Sequence, residues 1–299
     1  MTTTLTLKNP ADVIAAVPHI IGFQPTDSLV AVGIGGMSAR IDHPHNSGDL
    51  IESCIALGSA FRKHPSPVML VSFTDTASDA EDALTCIGAM VEDVAPVLAR
   101  IHVTSTGEWF DHVTETGGRV TLADHDRIAV EAAWIGAAAP VASREALAVS
   151  LAGDTAPVAA LLDATRIRDT KTETAWITSR INEFLTTGDH LSDDDAAHLL
   201  VALANVEFQY AAARLLTKAN ARQMVDLLRD LTRRAPDRVR PAAALLLGLA
   251  AWMQGHGALA WVAYEAADDA GHPIAKFIAH VLRDAIRPTE SALAGLTAA

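Results

Sequence analysis

Three short apolar stretches set the rhythm of the first hundred residues. Residues 28–34 and 68–73 are nearly continuous in Val, Leu, Ala, Met and Phe, and residues 100–104 alternate around Ile101 and Val103. Runs of this length and β-branched content predict strands, and the two continuous ones predict strands covered on both faces. Between them the period changes to 3.6. A helix is expected from Asn46 or Ser47 through Phe61 and Arg62, stopped by Pro65 and Pro67. A second is expected over 78–98, with Leu84, Ile87, Val91 and Val94 on its apolar side. Ahead of these, residues 4–7 read as a short edge strand. Asn9 and Pro10 open a helix with Val13, Ile14 and Val17 as its apolar face. Pro18 is expected to shorten or kink that helix.

Glycine pairs punctuate the strands. Gly35-Gly36 follows residues 28–34 and precedes a second strand-like stretch ending at Pro44, which predicts a two-residue hairpin turn. Gly33-x-Gly35-Gly36 also loosely matches a dinucleotide loop, but residues 37–42 are strand-like, where a phosphate loop needs a helix. Residues 109–113 and 119–122 predict a second hairpin joined through Gly117-Gly118. Strands alternating with helices, interrupted by hairpins, predict an α/β domain with a mixed sheet over residues 1–123.

The pattern after residue 123 is helical throughout. Asp124, Ser143 and the stretch 154–157 each start a helix. Residues 165–178 are polar and threonine-rich, so 124–190 reads as a helical connector. Ser192 with Asp195 is a capping arrangement before one long helix carrying Leu199, Leu200, Leu203 and Phe208. Helices follow near 221–232, 241–253, 258–270 and 273–285. Gly255-His256 and Gly271-His272 stand sixteen residues apart, the spacing of a helical hairpin. Two such helices approximate one tetratricopeptide-like unit of about 34 residues. Residues 191–299 are therefore expected to form an all-α, helical-hairpin (tetratricopeptide-like) scaffold.

Bulk properties narrow the function classes. The net charge is −13, which disfavours a nucleic-acid binder or docking on anionic membrane. The longest apolar run, residues 242–253, is short of the about 20 residues a bilayer span needs. The first ten residues lack the basic-then-apolar order of a secretory signal. A cytoplasmic protein is expected, with Cys54 and Cys86 as buried, reduced thiols.

Candidate chemistry concentrates where the first helix passes into the first strand. His19, Gln24, Asp27 and Ser28 stand at that joint, and Asp27 also suits an Asx-turn. No Gly-x-Ser-x-Gly surrounds Ser28, so no nucleophile elbow is present. Arg40 and Asp42 share one face of the next strand. His43 and His45 follow, with Asp42 as a possible third ligand; one His-x-His falls short of a metal motif, so no metal and no cofactor is assigned. Asp75 stands at the carboxyl end of a buried strand, where open α/β sheets bind ligands. Trp109 belongs to a polar-aromatic hairpin. Residues 214–240 carry eight basic groups against three acidic ones, making Arg229, Arg233, Arg234 and Arg238 candidates for an acidic partner or a second copy of the chain.

Several of these residues carry a family resemblance. Pro10-Ala11-Asp12, Pro18-His19-x-x-Gly22-Phe23-x-Pro25-x-x-Ser28-Leu29-Val30, Arg40-x-Asp42-x-Pro44, Gly107-Glu108-Trp109, Ser143-Arg144-Glu145 and Gly255-x-Gly257-Ala258-Leu259-Ala260 span most of the chain. In them it resembles an uncharacterised actinobacterial domain-of-unknown-function family, also carried by phages of those bacteria. The resemblance implies an α/β front half and a helical back half, with no activity attached. His43-Pro44-His45 is more histidine-rich than the family pattern suggests. The leading expectation is a non-catalytic protein-interaction or ligand-sensing module whose partner is a protein. The alternatives are a hydrolase or transferase with its site at the 19–28 loop near Asp42 and Asp75, and a homo-oligomeric structural or phage–host interaction protein.

Overall fold

The computed structural model describes residues 5–135 and 137–297. The chain divides into two compact units, Met1–Ser143 and Arg144–Ala299. The first is built on a six-stranded mixed sheet of order β2-β1-β3-β4-β5-β6. Its strands are β1 (Ser28–Gly33), β2 (Ala39–Asp42), β3 (Val68–Phe73), β4 (Val97–Val103), β5 (Glu108–Asp111) and β6 (Thr116–Arg119). Its helices are α1 (Pro10–Ile21), α2 (Ser47–Lys63), α3 (Ala77–Glu92) and α4 (Leu122–Trp134). β1 runs antiparallel to both neighbours, β3 and β4 are parallel across α3, and β5 and β6 return as a hairpin.

The near-continuous apolar runs follow from helices on both faces of the sheet. Leu29, Ala31, Val68 and Leu70 pack against Cys54, Leu57 and Phe61 of α2 and Leu84 and Ile87 of α3. Their alternates Val30, Val32, Val71 and Phe73, with Ile101 and Val103, pack against Val13, Ile14 and Val17 of α1. Side chains of a strand alternate between faces, so each layer takes every second residue. α4 lies on the outer side of α1 through Ile128 against Ala15 and Ala16.

Several expectations change in detail. Leu5 to Leu7 form no strand; Thr4 lies outside the described residues. α1 runs three residues beyond Pro18 and ends at Gly22, whose φ of 90° permits its N–H to reach the Pro18 carbonyl. The first hairpin is not closed by two glycines. Ala31 pairs with Ala39, and residues 34–38 form a longer loop. Gly36 lies so close to Ser66 that an added Cβ would meet its Oγ at 2.2 Å, so this glycine makes room rather than a tight turn. Gly117 and Gly118 lie inside β6, and the turn of the second hairpin is 112–115. The ring of Trp109 covers Gly118, where a Cβ would stand 2.9 Å from it. α3 ends at Glu92, well before residue 98. Cys54 is buried, but Cys86 is exposed.

The second unit is helical: α5 (Arg144–Val149), α6 (Ala156–Leu162), α7 (Thr170–Thr187), α8 (Asp193–Ala202), α9 (Val206–Ala213), α10 (Ala221–Arg234), α11 (Arg240–Gln254), α12 (Gly257–Ala267), α13 (Pro273–Arg283) and α14 (Glu290–Thr297). α11 is its centre. It is buried from Ala242 to Met253 and packs against α8, α9, α10, α12 and α13. Gly248 lets α12 and α13 approach, since a Cβ there would meet Ile278 at 2.9 Å and the Ala260 carbonyl at 3.4 Å. The expected long helix after Ser192 is two helices. Asn205 caps the second by accepting from the Glu207 N–H, and Gln209 Nε2 donates to the Leu203 carbonyl across the break. α7 begins inside the polar stretch read as a connector, with Asp169 as its cap. No helix among the described residues is long and apolar enough to cross a membrane.

Candidate functional site

The direction of β1 creates a crowded corner. Ser28, its first residue, lies opposite Asp42 at the end of β2 and Phe73 at the end of β3. The loop before β1 and the loops after β2 and β3 therefore open at one end of the sheet, where open α/β folds present ligand sites.

Two side-chain sets occupy this corner, divided by the sheet. Ser28, Arg40 and Asp42 stand on the α1 face. The Arg40 guanidinium donates to Ser28 Oγ from Nε (3.1 Å) and from its second terminal nitrogen (2.8 Å). Its other terminal nitrogen pairs with Asp42 at 2.7 Å, and its plane lies over the buried Phe23 ring, 5.8 Å from the centroid. Ser28 Oγ donates to the Thr26 carbonyl at 2.6 Å. The hydroxyl's proton is thus held by a backbone acceptor, with a cation beside its oxygen.

The second set is Asp27, His43 and His45. The His43 N–H donates to the Asp27 carbonyl at 3.0 Å, which carries the β1–β2 ladder one step beyond its last pair. Asp27 has a φ of 44°, a left-handed conformation that Asp adopts more readily than most residues. His45 Nε2 lies 2.7 Å from Asp27 Oδ2. His43 is 3 % exposed; its Nε2 shares a hydrogen bond with Ser72 Oγ at 2.9 Å. Its Nδ1 makes no hydrogen bond, although the Pro44 carbonyl nearby favours the protonated ring. Burial lowers the pKa of His43, against an opposing pull from Asp27. The hydrogen bond to the Asp27 carboxylate raises that of His45. The ligand-capable atoms of Asp27, His43 and His45 lie within 4.8 Å of one another. Asp27 thus takes the place beside the two histidines that sequence spacing offered to Asp42, and Asp42 is held by Arg40.

The remaining candidates lie apart. Asp75 accepts from the Ser105 N–H at 2.7 Å, a bond that lowers its pKa and fastens the loop after β3 to the turn after β4. His19 faces α4, where burial first and His125 second lower its pKa. Gln24 is exposed, and its N–H donates to the Val141 carbonyl. Trp109 packs into the α1-side core.

The family described as a domain of unknown function (DUF4192) matches residues 10–289. The chain belongs to that family. The DUF4192 match takes in the corner and the helices of the second unit through α13. No curated protein and no solved structure matches the chain.

In the second unit of this DUF4192 chain the four candidate arginines differ. Arg234 pairs with Asp230 and Asp193, and Arg238 with Asp163. Arg229 and Arg233 line a groove of about 460 Å³ with Phe184, His190, Gln223 and Asp226. Burial lowers the pKa of Arg229.

Two clusters leave little or no sequence signal. Glu173 is fully buried. It accepts from the Arg168 Nε at 3.0 Å and pairs with His198 Nε2 at 2.7 Å, while the Trp176 ring lies tilted against His198 at 4.4 Å between centroids. Burial raises the Glu173 pKa, but the Arg168 and His198 bonds outweigh it and leave the group below its ordinary value. The Ser72–His43 contact joins residues 29 apart, which spacing does not reveal. A buried Ser on an apolar strand was its only trace.

Proposed function

We propose that the chain is a non-catalytic ligand-sensing and protein-interaction module. The ligand is taken at the corner where Asp27, His43 and His45 meet, with Arg40 on the opposite face of the sheet. The helical half, read as a tetratricopeptide-like stack of helical hairpins, supplies partner surface. The observation that carries this reading is the engagement of both serine hydroxyls at the corner. Ser28 donates to the Thr26 carbonyl beside Arg40, and Ser72 is wholly buried beneath its contact with His43. A nucleophile needs both an accessible oxygen and a base to take its proton, and neither serine combines the two. The hydrolase or transferase alternative also wants Asp75 at the same cavity, and its carboxylate is engaged by the Ser105 N–H.

Support for a protein partner comes from α4. Val130 and Trp134 stand one turn apart on one face and are 70 % and 84 % exposed, and Leu122 at the helix start is 82 % exposed. Large exposed apolar side chains on one helix face are typical of contact surfaces. Arg229 and Arg233 offer a second, mixed-charge groove shared with Asp226 and Asp230, where a partner with its own charged groups or a second copy of the chain would dock. The setting we infer from the family resemblance is the cytoplasm of an actinobacterial or phage-infected cell.

A panel of model carboxylic and phosphate esters tests the non-catalytic reading. No turnover dependent on Ser28, Ser72 or Asp75 is expected, and hydrolysis abolished by Ser72→Ala would overturn it. Capture from an actinobacterial lysate, repeated with Asp27→Ala, Trp134→Ser and Arg233→Ala, assigns the partner surface by which variant loses the captured protein.

A further inference from the structure

We propose that Asp27, His43 and His45 form a binding site for one divalent transition-metal ion, Zn²⁺ before others. The inference rests on the ligand-sensing reading and names its ligand class. Two imidazoles and a carboxylate are a borderline-soft donor set. They suit Zn²⁺, Co²⁺ or Fe²⁺ and not Ca²⁺ or Mg²⁺, which take oxygen ligands. Three protein ligands leave a fourth position for water or a small anion.

The distances suit an ion of this size. Zinc at about 2.0–2.1 Å from nitrogen and oxygen places neighbouring ligand atoms about 3.3 Å apart. The His45–Asp27 contact stands at 2.7 Å, and all three ligand atoms fall within 4.8 Å. Small side-chain rotations span that difference, because the backbone frame is already fixed. Asp27 and His43 are tied by a ladder hydrogen bond, and His45 directly precedes Asn46, whose side chain caps α2 by accepting from the Asp49 N–H.

The decisive group is His43. Its ring is buried, its Nε2 shares a hydrogen bond with Ser72 Oγ, and its Nδ1, with the Pro44 carbonyl nearby, has no partner at full hydrogen-bond geometry. A buried polar atom without a partner is costly in an ordinary core. A ring oriented by a hydrogen bond through one nitrogen, with the other unoccupied, is the usual state of a metal-ligating histidine. Ser72 is then the positioning residue, acting through His43. Asp49 and Asp79 lie close enough to act on His45 and add negative potential around the site.

The test uses the full chain without an affinity tag, stripped by a chelator. Zn²⁺ is titrated by calorimetry, and Co²⁺ by its visible ligand-field bands. One equivalent of each is expected to bind, with Co²⁺ absorption of the intensity typical of four- or five-coordinate sites. Asp27→Asn keeps the left-handed backbone and His45→Ala alters an exposed side chain, so both variants fold. Each is expected to weaken binding by at least about tenfold, and Ser72→Ala by about tenfold through the lost support of His43. Absence of saturable binding overturns the proposal. So does binding unchanged in Asp27→Asn and His45→Ala, which would place the ion at others of the chain's 12 histidines. The outcomes separate the two readings. No metal with no ester hydrolysis removes the metal site and leaves ligand sensing standing. Ester hydrolysis by the Zn²⁺-loaded chain, lost in Asp27→Asn, keeps the site and removes the non-catalytic reading.

Discussion

Asp12 is a carboxylate sealed inside the first turn of α1. It accepts from the Lys8 N–H at 2.7 Å and pairs with the Arg127 guanidinium of α4, and its side chain is 1 % exposed. Arg127 is 35 % exposed and also pairs with Glu131, so losing Asp12 does not strand a buried charge; the loss falls on the Lys8 N–H and the helix entry. Asp12→Ala is expected to lower stability by about 1–3 kcal/mol in urea unfolding. Gly118 offers a second test. Alanine there intrudes on Trp109, so Gly118→Ala is expected to cost about 1–3 kcal/mol and to shift the tryptophan fluorescence. Single residues were where sequence said least. Asp12 stood in the sequence only as part of a family-like Pro10-Ala11-Asp12 piece, since no local pattern marks a carboxylate whose partner lies 115 residues away. Trp109 was legible as part of a hairpin, but its seat on Gly118 needed the pairing register.

Elements were more legible than their ends. β3 runs over the residues its apolar run marks, and α2 starts at the expected asparagine cap. A strand buried on both faces has little choice of residue, and a cap has a defined chemistry, so both leave local traces. Boundaries set by tertiary contact leave none. Sequence continuity from 193 to 208 favoured one helix, yet Asn205 and Gln209 stabilise a break that turns α9 away from α8. The corner shows the same division. Its residue types were readable from sequence. The separation of Arg40 and Asp42 from His43 by the plane of the sheet was not, since it depends on where β2 ends. At this scale Glu173→Gln, which unpairs Arg168 and His198 between α7 and α8, is expected to destabilise the chain by about 3 kcal/mol, measured by chemical unfolding.

Across the whole molecule, titration should act as a slow solvent-controlled loosening. His19, His256 and His272 are all pushed below their ordinary pKa, chiefly by burial. The unfolded chain therefore binds protons near pH 6.5 that the folded chain refuses. Stability is full above that pH and declines as pH falls through the lower folded values. Glu173, also depressed, extends the loss below about 4.5. His45, whose pKa is raised, opposes this loss below pH 6.5. With these three histidines depressed against one raised, calorimetry from pH 8 to pH 5 should show a falling Tm. His256→Gln should flatten that fall; an unchanged slope would remove His256 from the account.

His45 is the residue before the cap of α2, and this adjacency turns occupancy into a message. Whatever pins the imidazole also pins Asn46, and with it the Asp49 and Leu50 amides that Asn46 holds through its side chain and its carbonyl. Seventeen residues of helix then share a starting point with the bound ligand. Amide exchange at those two positions should slow when the corner is filled, and a partner touching α2 would read the difference without approaching the corner at all.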